Sequence, residues 1–436
     1  MVSSLDLFPK QFEHNSTASL LFSTLSGKIH FTTTGKRCQD IFHLEYCALL
    51  YYTNVYNTRV FNKEVDMNPF KYGRVVFDKD FCPRPKLEKE LQGHISSAQN
   101  VLLEGERRIG KTSLIYQVMR HLDKPRLLYI DIMEIKTIDD LCRRIINALV
   151  SMEQKSGLAE KMFKSLAHLK PAFTFDPLTG TPTLSLDASV KLKPDSIEGL
   201  MDLIDSEDRR KNLVVVFDEF QDILNLKEAS VALAVLRSKI QFHTEIPYIF
   251  AGSVRNKMDD IFNSPKSAFF KSAITINVDS LDREIFSEFL QEKFLQGKRT
   301  VSQDLVDKIF EIAQDIPGDI QQLCGAVWEV TSYKGNITAD IIPAALELIY
   351  SRELKGYEAN LSLLTGQQLR CLVGLATVGG KSPLSAEFIK ATGISQPASV
   401  KRALNRLVDL NIIYRYQREY KFINPFFKSW LIYKNF

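Results

Sequence analysis

At 436 residues, 45% apolar and 25% charged, the chain has the make-up of ordinary globular protein and length for about three domains. No apolar run approaches the roughly 18 residues of a membrane-spanning helix, and six scattered cysteines without a C-x-x-C pair exclude a disulfide framework or zinc knuckle. The expectation is a cytoplasmic protein with no membrane contact, and its formal net charge of +4 is unevenly spread.

Residues Met1 to Asp66 stand apart. They are rich in Phe, Thr, Tyr and Asn, and show no sustained period except an apolar segment at Ile41 to Tyr52. The first nine residues lack the charged-then-apolar layout of a secretory signal. Two readings are open: an accessory N-terminal extension, or a start placed too early, with Met67 the true one. We prefer the second.

From Met67 the pattern is regular. Pro85 suits the first turn of a helix that carries Glu88 and Leu91. Asn100 to Glu104 reads as a buried strand and Thr112 to His121 as an amphipathic helix. Arg126 to Asp131 predicts a second strand and Thr137 to Met152 a helix. The alternating runs at Ala172 to Asp176 and Thr183 to Asp187, split by Pro177-Leu-Thr-Gly180, predict an inserted hairpin. The β-branched run Asn212 to Phe217, then Pro247 to Ser253 and Ile274 to Val278, complete a parallel sheet. Residues 67–280 are thus expected to form a wound α/β core and 281–360 a helical lid, with turns at Asp315 to Gly318 and Lys334 to Asn336.

Residues 361–436 change character. Helices at Gly366 to Ala376, Ser385 to Ala391 and Gln396 to Leu410, then strands at Ile412 to Tyr416 and Glu419 to Ile423, spell a winged helix-turn-helix. From Thr365 onward eleven Lys and Arg face three acids, a local formal charge of +8. Lys401, Arg402 and Arg406 lie on the expected recognition helix, and tyrosines interleave Arg415 and Arg418 in the wing. Such cations suit phosphate backbones. They equally suit a solvated face or a protein-docking surface, so DNA, a protein partner and a second copy of the chain all stay open.

One stretch carries chemistry outright. Gly105-Glu106-Arg107-Arg108-Ile109-Gly110-Lys111-Thr112 fits G-x-x-x-x-G-K-[ST] at every fixed position, between a strand and a helix. Its amides and the positive end of the helix, Ser113 included, form an anion site. Lys111 sets a point charge against the β- and γ-phosphates, and Thr112 offers a hydroxyl to Mg²⁺. Asp218-Glu219 ends a buried strand: the Asp suits the Mg²⁺ shell and the Glu a water-polarising base. Ser253 either senses the γ-phosphate or fills a turn. Arg255 reads as a paired or solvated arginine ahead of a phosphate contact.

These residues resemble the archaeal-type prokaryotic ATPases of the STAND group, relatives of AAA+ proteins. The resemblance runs from Asn68 to the C-terminus. It rests on the Gly105 to Thr112 loop, Val216-Phe-Asp-Glu-Phe-Gln221, Gly252-Ser253, and Phe81-Cys-Pro-Arg84 ahead of Leu87-Glu88. Pro83 stands where the family has Gly, and Ile316-Pro-Gly-Asp319 reorders its lid motif. The resemblance implies ATP rather than GTP, Arg84 near the adenine, and a nucleotide-gated switch with a winged helix behind the lid. The expected activity is slow Mg²⁺-dependent hydrolysis of ATP to ADP and phosphate. The alternative is a DNA-binding regulator or signalling scaffold for which ATP is mainly a structural ligand.

Overall fold

The structure is a computed structural model, and it describes residues 18–25, 28–35, 67–156, 171–175, 182–186, 192–253, 255–331, 335–416 and 419–435. The expected segment at Ile41 to Tyr52, the turn at Pro177 to Gly180, and Arg418 lie outside them. The chain divides into two compact units, 1–67 and 68–436. In the first, strands β1 (Ala18–Leu25) and β2 (Lys28–Gly35) pair antiparallel. Sequence periodicity missed this hairpin.

The second unit opens with an extended strap, 68–84, and helix α1 (Pro85–Ser96), whose Pro85 does occupy the first turn. Then come β3 (Val101–Glu104), α2 (Lys111–Arg120), β4 (Arg126–Asp131) and α3 (Ile138–Ser156). The inserted pair β5 (Pro171–Phe175) and β6 (Pro182–Leu186) is antiparallel, as its alternation predicts. Next are α4 (Pro194–Ile204), α5 (Glu207–Arg210), β7 (Leu213–Asp218), α6 (Ala229–Ile240), β8 (Tyr248–Gly252), α7 (Arg255–Phe262) and β9 (Ile274–Asn277). The five strands form one parallel sheet in the order β4-β7-β8-β3-β9.

Strand residues alternate between the two faces of a sheet, and the core divides accordingly. Val101, Leu103, Val214, Val216 and Ile249 pack on α1 and α2 through Leu91, Leu114, Ile115 and Val118. Leu102, Leu128, Val215, Phe217 and Phe250 face the opposite cluster, which holds α3, α4 and α6. Burial on both faces is why these strands read as continuous apolar runs.

The lid comprises α8 (Arg283–Gln296), α9 (Gln303–Ile312), α10 (Pro317–Val330) and α11 (Ile342–Ser362). Two findings depart from a purely helical reading. Strands β10 (Arg299–Val301) and β11 (Gly335–Ile337) pair parallel inside it, so the stretch read as a turn at Lys334 to Asn336 is partly strand. Pro317 begins α10 instead of closing a turn, because its missing N–H is no loss at a first helical position.

The winged helix follows as α12 (Gly366–Val378), α13 (Ala386–Thr392), α14 (Pro397–Asp409), β12 (Ile413–Tyr416) and β13 (Glu419–Phe422). A further helix, α15 (Pro425–Tyr433), went unread because its sequence is apolar almost all round. Its Phe427 and Trp430 lie 4.9 and 5.2 Å, ring centroid to centroid, from Tyr357 of α11. Lid and winged helix share a single apolar cluster, from Phe286 and Leu290 through Tyr357 to Phe426 and Leu431.

Candidate nucleotide-binding site

Parallel α/β sheets bind ligands beyond the carboxyl ends of their strands. There β3 runs into the glycine-rich loop and β7 ends in Asp218. Gly110 has φ of +100°, which a side chain would strain. A β-carbon on Gly105 would lie 2.5 Å from the carbonyl oxygen of Val278, so only glycine lets the loop leave the sheet edge there. Ile109, 2% exposed, anchors the loop in the core.

The loop wraps a cavity of about 510 Å³. Arg107 to Ser113 line it with Arg84, Asp218 and Glu219, while Val76, Phe81, Leu281, Phe286 and Pro317 supply apolar walls. A lining of both charged and apolar side chains suits a ligand with a phosphate tail and a flat base. Gly105, Glu106 and Ser253, singled out with the rest, do not line this cavity.

Lys111 is buried, and its Nζ donates to the carbonyls of Gly105 (3.0 Å) and Glu106 (3.1 Å). Burial pulls its pKa down, against the acidic pull of Glu219 and Asp218. Main-chain carbonyls are weak partners for an ammonium, so Lys111 is held ready for an anion. Thr112 Oγ1 donates to Asp218 Oδ2 at 2.8 Å. These two hard oxygens are the donor chemistry Mg²⁺ takes, so the residues present fit a Mg²⁺–nucleotide ligand. The hydroxyl of Ser113 accepts instead from the amide of Val76, at 3.1 Å. The strap is thereby fastened to the core, and Asn68 and Lys71 fasten its other end to Gly325 and Gln321 of the lid.

Arg84 does something the sequence did not foretell. Its guanidinium donates to the carbonyls of Asp279 (2.6 Å) and Ile109 (2.8 Å), bracing the loop from behind. Burial lowers its pKa to about 10. Tyr129 was missed altogether. Its hydroxyl donates to Asp218 Oδ2 beside Thr112, and the amide of Glu219 donates to Oδ1 at 2.9 Å. The only sequence signal was a phenol within the otherwise aliphatic Leu127-Leu-Tyr-Ile.

Glu219 itself has a left-handed φ of +52°. Its Oε2 accepts from Gln221 Nε2 at 2.5 Å and from Ser253 Oγ at 2.9 Å. Ser253 thus touches the acidic residue directly and stands outside the cavity.

Two loop side chains reach beyond the core, Arg108 from the cavity wall and Glu106 from outside it. Arg108, also left-handed at +63°, pairs with Asp319 at the start of α10, and donates to Gln322 at 2.8 Å. Glu106 accepts from Tyr414 of β12 at 2.9 Å and pairs with Lys421 of β13 at 3.1 Å. Neighbouring residues of one loop therefore grip the lid and the wing.

Residues 94–256 match the model of a family described as "AAA domain", and 355–433 match one described as "Probable winged helix domain". The chain carries an AAA-type P-loop ATPase domain and a C-terminal winged helix domain. Among solved structures, a Walker-type ATPase of Pyrococcus abyssi superposes with a TM-score of 0.57 at 17% identity, covering 84% of this chain and 99% of that one. The ORC2 protein of Aeropyrum pernix, solved in ADPNP–ADP complexes, gives 0.49 at 13%, covering 85% and 98%. Likeness at such identity speaks to fold alone. A comparison with curated sequences finds no match.

Asn256-Lys257-Met258-Asp259 spells N-K-x-D, the guanine-reading motif of GTPases, and sequence reading passed over it. Here it lies on α7, where Lys257 donates to Asn225 and Asp259 accepts from Asn263. Neither Lys257 nor Asp259 lines the cavity.

Proposed function

We propose that this P-loop ATPase is a slow, Mg²⁺-dependent, nucleotide-gated switch of the STAND kind, whose nucleotide state is passed to the winged helix. The observation that carries the reading is the grip of Glu106, inside the phosphate loop, on Tyr414 and Lys421 of the wing. Phosphates held by the loop amides shift the loop, and Glu106 carries that shift to the wing. Nucleotide and wing are therefore coupled through one side chain.

In this reading the loop amides and Lys111 bind the phosphates, and Thr112 and Asp218 hold the metal. Mg²⁺ supplies charge neutralisation for the transferring phosphoryl group. Glu219 takes the proton of the attacking water. The preference for ATP over GTP rests on the family resemblance, and neither Lys257 nor Asp259 of the N-K-x-D string lines the cavity to read guanine.

Calorimetry and phosphate release test the assignment. Lys111→Ala is expected to abolish binding of Mg²⁺-ATP, and Glu219→Gln to keep binding while turnover falls by about 10²–10⁴. Wild-type turnover in Glu219→Gln, or no binding heat from the wild-type chain, defeats the reading.

A second reading, a DNA-binding regulator, is favoured by one observation. Lys401, Arg402 and Arg406 are all exposed on α14. A salt series of DNA binding decides it: cation-driven binding weakens steeply with salt, and Arg402→Ala with Arg406→Ala flattens the slope. No DNA affinity at low salt leaves a protein-docking role for this face, as in a signalling scaffold.

A further inference from the structure

The 3₁₀ turn Phe220–Asn225 directly after Glu219 carries Gln221, which closes the Val216 to Gln221 segment of the family resemblance but is given no role by it. Gln221 is 2% exposed, so both ends of its amide need partners. Its Nε2 donates to Glu219 Oε2 at 2.5 Å, and its Oε1 accepts from the main-chain N–H of Ser253 at 3.3 Å. Turning the amide over would set a carbonyl against a carboxylate and an NH₂ against an N–H, so the two partners fix its orientation. The space is built for it. A β-carbon on Gly252 would come within 2.7 Å of Gln221 Oε1.

With Ser253 Oγ also on Oε2, one carboxylate oxygen of Glu219 is held by two donors. The other, Oε1, has no hydrogen-bond partner among the described residues. A carboxylate fixed by one oxygen presents the other in a set direction, which is what a general base needs. Glu219 also sits in a left-handed backbone conformation, a strained one that the surrounding contacts must hold.

We propose that Gln221 is the positioning residue of Glu219: it aims the carboxylate and ties that aim to the Gly252-Ser253 end of β8. This rests on the reading of Glu219 as the base for ATP hydrolysis. In the step, Glu219 Oε1 accepts a proton from water as that water's oxygen bonds to the γ-phosphorus and the bond to the ADP oxygen breaks. Gln221 exchanges no proton. A shift of Ser253 moves Gln221 Oε1, and through the same amide moves the carboxylate.

The test uses Gln221→Met, which keeps length and fills the space but removes both polar ends, and Gln221→Glu, which keeps the acceptor for Ser253 N but replaces the donor to Glu219 with a second carboxylate that repels it. Each is made in the full chain, alone and combined with Glu219→Gln. Single-turnover hydrolysis of Mg²⁺-ATP and the Kd for Mg²⁺-ADP are read for every variant. We expect either substitution alone to slow hydrolysis about 10–100-fold with Kd changed less than about twofold. In the Glu219→Gln background neither should slow it further, because residues acting as a unit are non-additive. Equal fractional losses in both backgrounds, a loss of ADP affinity matching the loss of rate, or an unchanged rate would overturn the proposal. If Gln221→Met fails to bind ADP through misfolding, Gln221→Glu decides alone. A wild-type chain without hydrolysis would instead overturn the ATPase reading beneath it.

Discussion

Asp319 shows how much one buried group can report. It is 1% exposed at the start of α10, and burial, opposed by Arg108 and reinforced by Glu353, pushes its pKa up to about 7. The Tyr414 phenol is the other titratable group facing it. A raised carboxyl pKa means the folded chain holds the proton more tightly than the unfolded one. That contribution is complete below the ordinary carboxylate range and is lost as pH climbs through about 7. The ion pair to Arg108 gains full strength over the same window. Unfolding monitored from pH 5 to 8 should therefore show this stabilisation declining in the wild-type chain, while Asp319→Asn flattens the profile. An identical slope in both would refute it. Tyr129 makes a second residue-scale case. Partners that orient a metal-ligating carboxylate typically matter 10–100-fold to metal affinity. With Asp218 holding Mg²⁺ as proposed, Tyr129→Phe should raise the Mg²⁺ needed for half-maximal ATP turnover by about tenfold, read from a magnesium titration.

At the scale of elements, what sequence could read follows from which forces are local. The phosphate loop was legible because its glycines, lysine and threonine are demanded by chemistry within eight residues. The core strands were legible because burial on both faces writes itself as apolar runs. The opposite held for β1–β2, where the adjacent apolar residues Leu20-Leu21-Phe22 and the run Thr32-Thr33-Thr34 interrupt a strict alternation, and for β10–β11, where three-residue strands are too short to show a period. The contacts of Arg84, Tyr129 and Gln221 were hidden for another reason: the windows around Arg84 and Gln221 mark these residues out, but the partners of all three are fixed by the fold. The wing belongs to this class. Lys421 was counted among cations for DNA, yet it is committed to Glu106. Lys421→Ala removes a partly buried, charge-assisted contact of about 1 kcal/mol. Hydrogen exchange should then quicken in β12 and β13 while the central strands β7 and β8 stay protected. Unchanged exchange in the wing would mean that the pair does not hold it.

For the whole molecule, the division of the core decides what can be cut away. Residues 68–436 form a unit of their own, so a chain starting at Met67 should stay monodisperse and keep its binding of Mg²⁺-ATP. Ending the chain at Ser362 should do the reverse. It strips Phe388, Leu404, Phe427 and Trp430 from the cluster they share with the lid, leaving an apolar patch that drives aggregation on size exclusion. A soluble, well-behaved truncation would show that the lid can close its own core.

That shared cluster has a mechanical consequence. A lid and a winged helix fused by common packing cannot be steered separately, since dense interiors transmit displacement and do not absorb it. The 21 residues of α11 form a shaft of about 30 Å joining them. The loop grips both of the bodies that shaft joins, Arg108 the lid through Asp319 and Glu106 the wing through Tyr414 and Lys421. Travel of the loop would therefore carry the two as one piece.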